Sequence, residues 1–329
     1  MNAQPEENER SKAGTVLKAA EQGSGGSGIL VSGNSRPLDD IDRNLRCPFL
    51  DSTFRQPTII LKVKSFIQFF VLVILSIASQ SGAFAAEEKK APEAKQEIEF
   101  GGGVKMELVL VNPGKFTMGS PVTEKGREAA ESQHAVTISK AFYMGKYTVT
   151  QEQYEKVMGS NPSKFKGAKK PVENVSWDDA QEFCRKLSTT SAKTVRLPTE
   201  AEWEYACRAG SATAYCFGDD EAGLAEYAWH GTSGTTDPVG EKKPNAWGLY
   251  DMHRNVYEWC QDRYGDYPAG AATDPQGPVE GADRVMRGGC WVTSPGDCRS
   301  AHRIKVSPSI RGVDFLGMSF GFRVVVAPH

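Results

Sequence analysis

The chain has 329 residues, 39% of them hydrophobic and 24% charged, with a formal net charge of −2. That balance, with no basic stripe and no interleaved aromatic platform, argues against nucleic acid as a partner. All six Trp lie between Trp177 and Trp291, so one large downstream core is expected rather than the two domains that length alone would allow.

Residues 1–60 carry a Gly/Ser tract (Gln22 to Gly28) and scattered charges without a sustained apolar period. They read as disordered or as a mis-assigned leader. Residues 61–86 combine a basic flank (Lys62, Lys64), an apolar run from Phe66 to Ala78 and the small-residue motif Ala83-Phe84-Ala85. That order describes a secretory signal peptide, with an uncleaved membrane anchor as the competing reading. The chain is therefore expected to be exported, whether periplasmic, secreted or membrane-anchored, with membrane contact only if the leader stays attached. Residues 87–103 read as a charged linker ending in Gly101-Gly102-Gly103.

The domain is placed at residues 104–326. Met106 to Val111 alternates as a strand, and Asn112-Pro113-Gly114 is a turn leading to a second strand, Lys115 to Met118, expected to pair with the first. Ala135 to Ile138 and Phe142 to Tyr147 are further strands. Three helices are signposted by capping motifs at Thr150, Ser176 and Thr199. In the second, Ala180, Phe183, Cys184 and Leu187 form an apolar face at i, i+3, i+4, i+7. The acidic residues of these motifs, Glu202 among them, are assigned to capping and given no chemistry. After Gly210 the pattern breaks into short Gly-, Asp- and Trp-rich segments, followed by strand-like stretches at Arg284 to Trp291 and Gly321 to Val326. Ion binding, disulfides and buried Trp are the available means of fixing so much loop.

Beyond Ala86 there are six cysteines: Cys184, Cys207, Cys216, Cys260, Cys290 and Cys298. In an oxidising compartment an even count permits disulfides without revealing their connectivity. Neither a CxxC pair nor a Cys/His zinc spacing occurs. The histidines show no metal spacing either; His253 and His302 are candidates to line a cleft or simply to be packed.

Several segments, in order, resemble the formylglycine-generating-enzyme family, also called sulfatase-modifying factors. They are Asn112 to Ser120, Pro171 to Trp177, Arg196 to Tyr205, Gly248 to Met252, Asn255 to Trp259, Arg284 to Gly289 and Gly321 to Arg323. The resemblance spans nearly all of residues 104–326. It implies an α+β, C-type-lectin-like fold, loop-rich, with few short strands and about three helices. It also implies a reaction: oxidation of a sulfatase cysteine to formylglycine, using oxygen and copper held by two cysteines spaced Cys-x4-Cys. Soft thiolates suit Cu(I).

Here Gly288-Gly289-Cys290-Trp291 is followed by Val292-Thr293-Ser294-Pro295-Gly296-Asp297-Cys298. Counting forward puts Thr293 at the first copper position and Cys298 at the second. Counting back from Arg299 to Arg303 suggests a shorter loop, in which Cys298 matches neither. Both counts leave the pair incomplete. Cys290 and Cys298 are the candidate catalytic thiols, and copper is possible only if one of them is free. The resemblance also implies a Cys207–Cys298 disulfide. Such a bridge, closing a loop of about 90 residues, would stabilise by about 4–5 kcal/mol less any strain. Cys184 is expected to be a buried free thiol.

By the same resemblance Asn255, Val256 and Glu258 are candidate calcium ligands, with Arg254 where the family commonly has Gly. The alternative is that Asn255 and Glu258 only make turn and cap bonds. Three functions follow as expectations. The first is an exported, monomeric domain without copper oxidase activity, binding a peptide, a protein such as a sulfatase, or a glycan through a face around Arg287, Trp291 and Trp247. The second is an oxidoreductase forming formylglycine at a different thiol site. The third is an envelope protein rigidified by calcium and disulfides.

Overall fold

The computed structural model describes residues 94–229, 234–312 and 317–328. The leader, the signal segment and residues 87–93 lie outside the described residues, as do His230 and His329. The fold belongs to the unit Ala85–His329. Among the described residues no helix is long and apolar enough to cross a membrane.

The chain is α+β. Its first sheet runs in the order β1 (Lys95–Gly101), β2 (Val104–Val111), β5 (Phe142–Gly145), β12 (Val325–Val326), β6 (Val195–Arg196). A second joins β10 (Arg303–Val306), β9 (Arg284–Arg287), β7 (Tyr257–Arg263) and β11 (Phe320–Gly321). A third holds β3 (Gly114–Met118), β4 (His134–Ile138) and β8 (Ala272–Thr273). Four α-helices are described: α1 (Gln151–Met158), α2 (Trp177–Ser191), α3 (Glu200–Arg208) and the single turn α4 (Leu224–Tyr227).

The three capped helices lie where the sequence puts them. Thr150, Ser176 and Thr199 each accept from the backbone N–H three residues on, and Gln153, Asp179 and Glu202 bond back to the cap N–H. Each reciprocal pair satisfies two N–H groups that the helix itself leaves without partners. Gly159 ends α1 in the left-handed region at φ 77°. Glu202 also receives both terminal nitrogens of Arg196 at 2.6 Å, so its capping role is joined to an ion pair.

Two expectations about strands are corrected. Residues 95–101 are not linker: they form β1 and pair antiparallel with β2, the Gly101–Gly103 turn closing the hairpin. Alternation of Ile98 inward with charged residues outward gives this strand one buried face. Second, β3 does not pair with β2. It pairs antiparallel with β4, Gly114 opposite Ile138 through Met118 opposite His134. The Asn112-Pro113 corner carries the chain from one sheet to another, because β2 is already flanked by β1 and β5.

Two large apolar clusters fill the interior. One gathers Phe183, Tyr257, Trp259, Phe320 and Phe322 between the first two sheets and α2. The other gathers Met118, Met144, Trp203, Cys207, Leu249 and Cys260 around α3. Four of the largest fully buried side chains are arginines: Arg287, Arg299, Arg303 and Arg323. Their placement holds the loops. Arg299 reaches Glu124 at 2.5 Å, Glu131 at 2.8 Å and the Gly126 carbonyl at 2.6 Å, tying the 124–131 loop to the segment after Cys298. Arg303 grips Glu200 with two bonds and donates to the Ala130 and Gly265 carbonyls. Guanidinium groups suit this task because five donors in a fixed fork can join a carboxylate to several carbonyls.

Candidate functional site

The Gly288–Cys298 segment leaves β9 and makes a tight loop. Gly288 and Gly289 both have positive φ, 95° and 75°. At Gly289 a Cβ would stand 2.8 Å from the Cys298 sulfur and 3.0 Å from Thr293 Oγ1, so the loop needs glycine there to close on itself. Ser294 caps the short 3-10 turn Pro295–Cys298, with Asp297 bonding back to the Ser294 N–H.

Inside this loop Thr293 Oγ1 lies 3.7 Å from Cys298 Sγ. The same hydroxyl accepts from the Cys290 N–H at 3.0 Å and donates to the Cys290 carbonyl at 2.9 Å. Thr293 and Cys298 thus face each other at the five-residue separation of the forward count. Cys298 is fully buried, and burial pushes its thiol up to about 12. Cys290 is also fully buried, with its thiol raised by burial, yet it packs in a different apolar cluster from Cys298. The pair that Thr293 and Cys298 make is one hydroxyl and one thiol. It does not fit Cu(I), which takes soft sulfur ligands.

The Cys207–Cys298 disulfide is not formed, and all six cysteines among the described residues are free thiols. His253 lies beside both residues. Its ring lies 3.9 Å from the Cys207 sulfur, its Nδ1 donates to the Cys298 carbonyl at 2.9 Å, and its Nε2 accepts from the Cys216 N–H at 3.0 Å. Cys207 Sγ meanwhile meets Ser300 Oγ at 3.7 Å. An imidazole holding three chain segments stands where a covalent bridge was expected. Cys184 is the buried free thiol its helix face implies, raised to about 12 by burial. Cys260, which had no assigned place in the sequence, is fully buried in the α3 cluster, and its carbonyl accepts from the Trp177 indole.

The candidate binding residues do not form one face. Arg287 is fully buried and spends its guanidinium on Glu204, Glu200 at 3.3 Å, and the Ser300 and His302 carbonyls. It is an internal strut, so its assignment to a binding surface is corrected. Trp247 packs edge-on against Tyr205 at 4.8 Å, and Trp291 edge-on against Phe165 at 5.6 Å while its indole donates to Ser319. Both indoles are half-buried. Beside the 288–298 loop instead lies a cavity of about 630 Å³, bounded by Ser294, Pro295 and Gly296 on one side and by Glu124, Lys125, Tyr215 and Glu221 on the other. Tyr215 donates to the Pro295 carbonyl at its floor.

The calcium candidates are corrected in part. Asn255, at φ 79°, exchanges two bonds with the Asp237 backbone, its Oδ1 accepting at 3.1 Å and its Nδ2 donating at 2.9 Å. That is a loop clasp. Glu258 is buried and receives Arg323 Nε at 2.6 Å and Nη2 at 2.7 Å together with the Trp203 indole at 2.7 Å. Val256 is buried, and its side chain packs in the interior. The structure supplies a further oxygen donor that sequence reading missed. Asp251, 3% exposed, accepts one N–H from Gly240 and has no ion-pair partner within 4.0 Å among the described residues. Burial pushes its carboxyl up to about 6, and the nearby charge of Glu258 adds to the rise. Asp251 is a hard oxygen donor of the kind a calcium ion takes, whereas both Glu258 oxygens are held by Arg323, and among the described residues no group of three or more His, Cys, Asp or Glu side chains is placed to hold a metal ion. The signal was available in the sequence, since Asp251 falls in the Gly248–Met252 motif four residues before Asn255. Arg254, where a glycine was expected, is buried; its Nη2 donates to the Trp291 carbonyl at 2.7 Å, and its Nε and Nη1 have no partner.

Comparison with known proteins places this geometry. The chain is 34% identical over 263 residues to the serine/threonine-protein kinase pkn1 of Chlamydia pneumoniae, a match covering 70% of this chain and 39% of the kinase. It is 32% identical over 271 residues to the chaperone protein LppX of Paenibacillus barcinonensis, covering 67% of this chain and 89% of LppX. The chain thus spans well under half of the first relative and most of the second. Among solved structures, Treponema denticola variable protein 1 superposes with a TM-score of 0.66 at 31% identity, covering 72% of this chain and all (100%) of that one. The family signature described as sulfatase-modifying factor enzyme 1-like domain matches residues 100–328, and the chain belongs to that family.

Proposed function

We propose that this is an exported domain of the sulfatase-modifying-factor type that binds a peptide or protein segment and does not carry out copper-dependent cysteine oxidation. The observation that carries the reading is the Thr293–Cys298 pair: Oγ1 stands 3.7 Å from Sγ, where a copper site would need a second sulfur. A hydroxyl does not replace a thiolate toward Cu(I). Cys290 packs in the cluster of Tyr257 and Phe320 and Cys298 in that of Tyr215 and Leu224, so the Thr293–Cys298 pair is the one on which this reading rests.

Support for binding comes from the cavity of about 630 Å³ beside the same loop, which has the size of a ligand cleft. The name of the LppX relative, a chaperone protein, favours a polypeptide over a glycan as occupant. Export rests on the basic flank, apolar run and small-residue motif of residues 61–86. The domain is taken to act as a monomer.

The test pairs two measurements. Purified protein incubated with Cu(I) and a sulfatase-motif peptide should yield no formylglycine by mass. A displayed peptide library should yield binders that are lost when the cavity is filled by Ser294→Trp or made more acidic by Lys125→Glu. Formylglycine that disappears in Cys290→Ser would overturn the reading in favour of a thiol oxidoreductase.

A further inference from the structure

A second cavity, of about 250 Å³, shares no lining residue with the one at Ser294–Gly296. It opens between β3, α3, β7 and the 265–278 segment, and its walls are mainly apolar: Met118, Tyr267, Pro268, Pro275 and Pro278. Three carboxyls line it: Glu200 and Asp262, both buried, and the exposed Asp266.

Their situations differ. Glu200 is saturated: Arg303 holds both of its oxygens, at 2.8 and 2.7 Å, and the Tyr267 hydroxyl donates at 3.1 Å. Arg303 is engaged in turn, with its nitrogens on Glu200, Ala130 and Gly265, and its plane stacked 4.1 Å from the Tyr267 ring. Four of its five N–H donors are spent in this way, and its charge is matched by Glu200. Asp262 is 3% exposed and accepts only the Glu200 N–H, at 2.9 Å, with no ion pair among the described residues. Among the described residues the buried charge-bearing group of this cavity that lacks a counter-ion is therefore acidic, and the exposed Asp266 adds a second carboxyl to the lining.

We propose that this cavity binds a primary ammonium group carried on a short apolar chain, such as an alkylamine or a lysine side chain, with Asp262 as its counter-ion and Tyr267 and the prolines around its methylenes. A buried carboxylate is stable only when paired, and an ammonium ion supplies both the charge and the donors that Asp262 lacks. An aromatic ring and proline walls suit the stem of such a ligand.

Binding is coupled to a proton. Burial and then the negative charge of Glu200 raise Asp262 to about 8, so the empty cavity holds it protonated near neutral pH. The titratable groups around it are Glu200 and Glu202 from α3, Arg303 from β10, and, more distantly, Arg196 from β6 and Arg284 from β9, with Asp266 and His134 also in the cavity lining. An ammonium ligand displaces that proton. A primary alkylamine stays charged to above pH 10, so affinity should rise about tenfold from pH 7 to pH 9 as Asp262 ionises.

The experiment is calorimetric titration of the full-length protein with n-butylammonium, with n-butanol and butyrate as probes of the same length. Saturable binding of the amine alone is expected, about tenfold tighter at pH 9 than at pH 7 by that linkage, and lost in Asp262→Asn. Proton release at pH 7, read from the dependence of the heat on buffer, needs no variant and is expected in the wild type. Butanol binding as well as the amine, affinity unchanged between the two pH values, absence of proton release, or an unaltered Asp262→Asn would each overturn the proposal. So would the absence of saturable amine binding at millimolar concentrations.

Discussion

The hydroxyl of Thr293 faces the sulfur of Cys298 across 3.7 Å, in a loop that two positive-φ glycines allow to fold back on itself. The scaffold for a two-sulfur site is present, and one of its sulfurs is an oxygen. Thr293→Cys should therefore create a paired-thiol site in a single step. The variant is expected to bind one Cu(I) per chain with far greater affinity than wild type, measured by competition with a chromophoric chelator. Equal copper affinity in the two proteins would show that the loop does not present the residues as a pair.

The thiols make a second prediction. Cys184, Cys207, Cys260, Cys290 and Cys298 are buried and Cys216 is half-buried. Burial raises Cys184, Cys207 and Cys298 to about 12, so almost none of their population is thiolate at pH 8. Of these six described cysteines, Cys216 should react with a thiol reagent well ahead of the other five in the native protein, and in denaturant all six of them should react without reductant. Mass mapping that found Cys207 and Cys298 joined would restore the disulfide.

Arg323 and Glu258 form a bidentate pair with both side chains essentially inaccessible, 0% and 1% exposed. Arg323→Met would leave a buried carboxylate with only the Trp203 indole, and should cost about 3–5 kcal/mol. Arg323→Met combined with Glu258→Gln should recover much of that loss in chemical denaturation. A double variant as unstable as the single one would mean that the fork to the Gly145 and Tyr250 carbonyls matters more than the charge.

Calcium is the test of Asp251. If Asp251 takes up the ion, adding it should raise the melting temperature of wild type by several degrees, as linkage requires for a ligand that binds only the folded state. Asp251→Asn should remove most of that rise. Asn255→Ala, which breaks only the clasp to Asp237, should lower stability while leaving the calcium response in place. A calcium response that survives Asp251→Asn and is lost in Asn255→Ala would reverse the assignment.

Two raised carboxyls set the pH dependence. The folded state holds the Asp262 proton up to about pH 8 and the Asp251 proton up to about 6, whereas in the unfolded chain both leave near pH 4. The folded state binds more protons across that window, so these groups contribute stability at low pH that is lost as pH rises. Asp251 acts over the lower part and Asp262 over the whole, with Asp262 contributing on the order of 2–5 kcal/mol. Asp262→Asn should flatten stability between pH 6 and 8 in denaturation series at fixed ionic strength. An unchanged slope would place the titration elsewhere.

Much of the architecture could be read before any coordinates were in hand. The caps at Thr150, Ser176 and Thr199, the i, i+3, i+4 face of α2 and the alternation of β2 are local signals, decided by residues within one or two turns of each other. The ordered motifs from Asn112 to Arg323 are likewise sequential, and they pointed to the family. The tertiary structure decided whatever depends on partners far apart in the chain. Pairing of β3 with β4 rather than β2 follows from which strand edges were already occupied. Whether Arg287 meets solvent or Glu204, whether Cys207 meets Cys298 or the His253 ring, and whether Asp262 finds a counter-ion are settled by contacts spanning dozens of residues. Burial makes such contacts decisive, because a charge or thiol removed from water takes its state from the groups the fold brings to it.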